Sequence, residues 1–360
     1  MKRYFYLIAA IAGLFMAASC QKENFEVADG DYAEVSFTAD LPGVATKAIA
    51  DGQTVNKLYY EVYAAEDADG NVAADATAVT KGSEVVSGGT ASINVRLVKN
   101  KKYTVFFWAQ YEETGYTSPY TWTDLRNITV SYAGAVANDE RRDAFYAVEK
   151  AVSFSSAATE KVTLTRPFAQ VNVGTSDIDI LDRDNVSLDN ATSTLTVTNV
   201  ADTFNPFDNT ATYTPVVEPT ATSSSQELTA TFAAASIPYG NIANVGDGST
   251  TYKYLATAYV LVPGNGESTS VSTISSTVTT SAGDVTISYE GANVQQNRRT
   301  NLVGKLLTSS VDYDVIVDNN FNGEDHATIL SPSELADKLD SNTSTDDVVY
   351  NISASADVTI

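Results

Sequence analysis

The feature that most constrains this chain is a two-residue rhythm repeated along most of its length. Glu34 to Ala39 alternates polar and apolar, with Val35, Phe37 and Ala39 on one face. Lys57 to Ala64 places Leu58, Tyr60 and Val62 on one side, and Ser92 to Leu97 does the same with Ile93, Val95 and Leu97. Tyr103 to Gln110 is apolar on both faces, as a central strand covered on two sides would be. Later runs (161–164, 168–173, 194–200, 227–232, 252–262, 285–289, 312–317) are rich in Val, Ile, Thr, Tyr and Phe. Turn-formers separate them: Asp69-Gly70-Asn71, Gly88-Gly89, Asp247-Gly248 and Pro263 to Gly266. Side chains that alternate in this way bury one face of a sheet, so the expected fold is all-β, built as antiparallel sandwiches.

Two segments stand outside the rhythm. At the start, Lys2 and Arg3 precede an apolar run from Tyr4 to Ala18, too short to span a bilayer comfortably and typical of a secretory signal. The small residues Ala17-Ala18-Ser19 lead directly into Cys20, which resembles the lipobox of bacterial lipoproteins. In those proteins the cysteine is acylated and becomes the anchor, and more than one acyl chain makes the attachment stable. Cys20 is the only cysteine, so no disulfide forms within one chain. Residues 1–19 are therefore read as signal and 20–31 as a polar tether. Near the other end, Ser331-Pro332-Ser333-Glu334 is a capping box with proline at the first helical position, predicting a short helix from Pro332 to Leu339. Two β-like runs follow it, Val348 to Ile352 and Asp357 to Ile360.

Charge and chemistry narrow the function. With 45 acidic against 22 basic residues the net charge is −23, which repels nucleic acid and anionic lipid. An apolar content of 43% and 20 tyrosines argue against disorder. The single histidine, His326, lies in a polar run without a nucleophile elbow, so no Ser-His-Asp arrangement is predicted; no catalytic residue, cofactor or metal is assigned. The acidic groups Glu66 to Asn71 and Asp177, Asp179, Asp182 and Asp184 are read as a hairpin turn and a solvated strand edge rather than cation sites. Tyr116, Tyr120 and Trp122, in a turn-rich stretch, are the candidates for exposed ligand contacts.

Three stretches acquire meaning together: Arg142-Asp143-Ala144-Phe145-Tyr146, Leu164 to Val173 (LTRPFAQVNV), and Arg299 to Thr308 (RTNLVGKLLT) followed by the strand Tyr313 to Val317. With Cys20, they resemble the fimbrillins of Bacteroidales, subunits of protease-assembled surface pili, and the wider fimbrillin-like surface lipoproteins. The resemblance covers residues 31–318. It implies two tandem transthyretin-like β-sandwich domains, 32–165 and 166–318, followed by a tail, 319–360, with the short helix and terminal strands. It also implies an outer-membrane location through lipid on Cys20, and partners that are other pilin-type subunits or further copies of the chain, with a host or bacterial surface receptor beyond them.

In such pilins a surface protease cuts after a basic residue and removes the first strand, and a neighbour's strand fills the groove. The matching parts here are the removable strand with Val35, Phe37 and Ala39, and Lys47-Ala48 as the processing site. Val348, Tyr350, Ile352, Val358 and Ile360 are candidates for the donated strand. The pilins carry arginine at the cut, and this chain carries Lys47. Two alternatives stay open: Lys47 as a solvated loop residue with the first strand permanently in place, and the tail as the opening of a β-helix repeat. The competing function is a non-polymerising outer-membrane lipoprotein that binds glycan or another surface ligand.

Overall fold

The computed structural model describes residues 29–42, 49, 52–177, 187–213, 228–238, 240–242, 245, 250–308 and 312–318. Among them the regular structure is strand, with two single-turn 3₁₀ helices at Asp29–Asp31 and Glu140–Arg142. In chain order the first nine strands are β1 (Tyr32–Asp40), β2 (Lys57–Ala64), β3 (Thr80–Val85), β4 (Thr90–Val98), β5 (Lys102–Gln110), β6 (Tyr120–Thr121), β7 (Ile128–Val130), β8 (Phe145–Ser153) and β9 (Ala158–Thr163). The next six are β10 (Phe168–Thr175), β11 (Thr192–Val200), β12 (Thr203–Asn205), β13 (Thr210–Thr212), β14 (Leu228–Ser236) and β15 (Asn241–Ile242). The last six are β16 (Tyr252–Leu261), β17 (Gly264–Asn265), β18 (Thr269–Thr280), β19 (Gly283–Gln295), β20 (Arg299–Lys305) and β21 (Asp312–Asp318).

These strands make two sandwiches. In the first, the sheet β4-β1-β9 faces the sheet β3-β2-β5-β8. Between them lies a core of alternating residues: Val35 and Phe37 from β1, Leu58 and Val62 from β2, Ile93 and Val95 from β4, Val105 and Phe107 from β5. In the second, β15-β16-β10-β20-β21 faces β14-β11-β18-β19, around Val171, Val173, Leu195, Phe232, Val260 and Leu302. The two are repeats of one plan. β1 pairs antiparallel with β4 and parallel with β9. β10 pairs antiparallel with β16 and parallel with β20. The order β3-β2-β5-β8 likewise recurs as β14-β11-β18-β19.

A fifth sheet, β17-β13-β12-β7-β6, joins them. It takes β6 and β7 from the connection between β5 and β8, and its other strands from excursions of the second half. Under it sits a third core, containing Phe106, Trp108, Tyr120, Ile128, Phe168, Phe204 and Tyr259. This explains why β5 is buried on both faces: Val105 and Phe107 point into the first sandwich, Phe106 and Trp108 into the junction. Aromatic edges interlock there, with Trp108 and Tyr120 ring centroids 5.2 Å apart and Tyr146 and Phe204 4.7 Å apart.

Candidate functional site

The removable-strand hypothesis turns on β1, a nine-residue strand in which every second side chain is buried. Ala33, Val35, Phe37 and Ala39 are each at most 2% exposed. Phe37 meets Phe107 and Phe154 edge-on, at centroid distances of 5.6 and 6.0 Å. Burying Val35 and Phe37 stabilises the sandwich by about 2 kcal/mol each. The strand uses both of its edges. On one side Tyr32 to Asp40 run antiparallel to Val98 to Thr90, and on the other Val35 to Asp40 run parallel to Ala158 to Thr163. Its ends are pinned by polar contacts. The Leu41 amide donates to the Gly89 carbonyl at 2.8 Å, and the Leu164 amide donates to the Asp40 carbonyl at 2.9 Å. Asp40 also accepts from Thr90 Oγ1 and faces Lys161 Nζ at 3.3 Å. Near the start, the Arg96 guanidinium lies 4.4 Å from the Tyr32 ring centroid, and Lys99 Nζ donates to the Gly30 carbonyl.

Taking β1 away would therefore strip backbone partners from two strands at once and open a four-pocket slot in the core. Only another strand of the same alternation restores both. The equivalent strand of the second sandwich, β10, is fixed at its entry. Arg166, 1% exposed, forks onto the buried Asp143 carboxylate through Nε and Nη2, at 2.8 to 3.1 Å, and its guanidinium lies 4.3 Å from the Phe145 ring centroid. Burial pushes the Asp143 carboxyl up, and Arg166 pulls against it. Gly52, at φ +76°, fits beneath this cluster: a Cβ there would come within 2.9 Å of the Phe145 ring.

The same geometry shows what the three sequence stretches do. Asp143 of the first holds Arg166 of the second. Asn172 of the second donates to Asn301 of the third at 2.7 Å, across the parallel pairing of β10 and β20. Phe145 lies in the first core, Tyr146 and Phe168 in the junction, and Val171 and Leu302 in the second core. Tyr146 and Phe168 of the first two stretches thus meet in the junction core, while Asn172 and Asn301 fasten β10 to β20 within the second sandwich.

A sequence profile for a family of unknown function, DUF6562, matches residues 28–351. The chain belongs to this family. No curated protein matches it. Solved structures similar to this DUF6562 chain include a proposed cell adhesion protein of Bacteroides ovatus, at TM-score 0.45 and 13% identity over 81% of this chain and 98% of that one. They also include two fimbrial proteins of Porphyromonas gingivalis. The tip fimbrial protein Mfa3 has TM-score 0.38 and 13% identity over 80% of this chain and 99% of that one. The fimbrial anchor protein Mfa2 has TM-score 0.38 and 13% identity over 79% and 96%.

Other sequence-derived sites of the DUF6562 chain fall differently. Tyr116, Tyr120 and Trp122 do not form one exposed patch. Tyr120 is 4% exposed, its hydroxyl donating to the Arg142 carbonyl, because its side chain points from β6 of the fifth sheet into the core beneath. Tyr116 is half-buried beside Tyr111 and under Arg141, whose guanidinium is 4.7 Å from its ring centroid. Trp122 is half-buried edge-on to Tyr59 at 5.1 Å. Asp177, expected on a solvated strand edge, is 1% exposed and accepts from the Leu307 and Thr308 amides at 3.0 and 2.9 Å, tying off the chain after β20. Among the described residues no group of three or more His, Cys, Asp or Glu could hold a metal ion. The Asp67 carboxylate accepts from Asn71 and from the Asp69 amide, organising the turn between β2 and β3. Cys20, Lys47, Ala48, Asp179, Asp182, Asp184, the helix 332–339 and the donor candidates Val348, Tyr350, Ile352, Val358 and Ile360 lie outside the described residues.

Proposed function

We propose that this chain is a fimbrial-type adhesive protein of the outer cell surface, delivered by lipid on Cys20 and assembled by strand exchange. The observation that carries the reading is the placement of β1. It is the middle strand of its sheet and supplies four core side chains, yet a single connection, 41–56, joins it to the rest of the sandwich. One cut in that connection, after Lys47, separates lipid and strand together from everything downstream. The slot left behind accepts small, medium, large and small apolar side chains at alternate positions. The tail run Val348, Tyr350 and Ile352 also sets apolar side chains at alternate positions, which supports a second copy or a related subunit as the partner. The pull toward exchange is physical: two rows of unpaired backbone groups and an open core are costly until a strand fills them.

The test is the mature N-terminus at the cell surface, read by mass spectrometry. Free Ala48 on the surface-exposed protein is the expected result. Acylated Cys20 on all of it contradicts processing and leaves β1 as a permanent strand.

A further inference from the structure

Three hollows meet along the segment 121–129, away from β1. One of about 320 Å³ lies between β2, β3 and Trp122, with Tyr59 on its wall. It shares Trp122 and Thr123 with a second, of about 420 Å³, which in turn shares Asp124 and Asn127 with a third of about 350 Å³. The third reaches Phe106 and Phe207, whose rings lie 6.4 Å apart, tilted by 35°. Each hollow is of small-ligand size, and the lining residues they share set them side by side along the segment.

The lining is held in place. Buried Glu61 accepts from the Tyr63 hydroxyl at 2.6 Å and from the Leu125 amide at 2.9 Å, pinning the segment to β2. Arg126 forks onto Asp124 at 2.9 to 3.0 Å, donates to the Ala73 carbonyl at 2.7 Å, and lies over the Tyr63 ring. Arg126 holds the Asp124 carboxyl below its usual range, so it is an ionised acceptor at neutral pH. Between the aromatic ends stand the exposed hydroxyls of Thr121, Thr123 and Thr129 and the exposed amide of Asn127.

We infer that this groove binds a neutral glycan chain. The half-buried Trp122 and Tyr59 rings at one end offer an apolar platform for a sugar ring, and the carboxylate, amide and hydroxyls beyond them match sugar hydroxyls as donors and acceptors. Asp124 and Arg126 neutralise each other, Lys81 stands on the wall of the first hollow, and the net charge of −23 disfavours acidic polysaccharides. The inference rests on the adhesive half of the proposed function and is independent of strand exchange.

The test titrates the chain from Cys20 onward, with β1 in place, with neutral hexaoses (gluco-, manno-, xylo- and galacto-configured), with sulfated and sialylated oligosaccharides as a second arm. The chain has two tryptophans, and Trp108 is fully buried, so a saturable change in indole emission reports on Trp122. At least one neutral sugar should saturate the signal. Asn127→Ala, at an exposed position, should weaken binding about tenfold with an unchanged melting temperature, the effect of losing about 1.4 kcal/mol of contact. In a calorimetric titration, Trp122→Ala should abolish it. The inference is overturned if no neutral sugar saturates at millimolar concentration, if the acidic sugars bind better, or if binding survives both substitutions. A peptide that pairs with edge strand β3 and fills the groove in place of sugar also overturns it. A chain that polymerises but ignores sugars defeats this inference alone; one that binds sugar through Trp122 but never exchanges β1 defeats strand exchange alone.

Discussion

At the scale of single residues, the most consequential pair is Asp143 and Arg166, both about 1% exposed. A buried ion pair contributes little over an apolar pair of the same shape, but breaking one half leaves an uncompensated charge in the core. Arg166→Met should therefore destabilise the protein by about 3–5 kcal/mol in urea denaturation, and Asp143→Leu combined with Arg166→Met should recover most of that loss. Equal destabilisation in the single and double variants would show that the packing, and not the orphaned carboxylate, sets the cost. The pair was not legible in the sequence, where the two residues are 23 positions apart and each looks like an ordinary surface charge. The stretches containing them stood out by resemblance, and the contact supplies the physical reason. By contrast, Val35, Phe37 and Ala39 were legible as one buried face, because alternation in a strand maps directly onto sheet faces.

At the scale of elements, β1 and β10 occupy the same place in two copies of one plan, yet only β1 sits on a connection that a single cut can sever. Its antiparallel partner β4 lies nearby in sequence. Its parallel partner β9 lies more than a hundred residues away, a pairing that no local pattern announces. If the slot is a true binding groove, a chain beginning at Ala48 should be an unstable monomer. A synthetic peptide spanning residues 31–41 should restore its folded near-ultraviolet circular dichroism and a cooperative melt. A variant peptide with Phe37→Asp should not, since a carboxylate would enter a position that is fully buried. Restoration by both peptides alike would mean that backbone pairing alone, without side-chain pockets, governs the slot.

At the scale of the whole molecule, the two sandwiches are fastened by a shared aromatic core and a composite sheet. The resemblance implied two β-sandwich domains in tandem, and nothing in the sequence marked this fastening. The five strands of the joining sheet are two or three residues long, too short for alternation to be visible. So large a junction should make the chain unfold as one body. Calorimetry of residues 20–318 is expected to give a single transition, and Phe204→Ala, which hollows the junction, should split it in two. In such a body the proposed exchange of β1 would be a local event, and the measurement closest to the central claim is limited digestion with a lysine-specific protease, followed by denaturing electrophoresis without boiling. Cleavage after Lys47 should release residues 20–47 and yield an SDS-resistant ladder of oligomers. A cut chain that keeps its first strand and remains monomeric at high concentration would contradict the account.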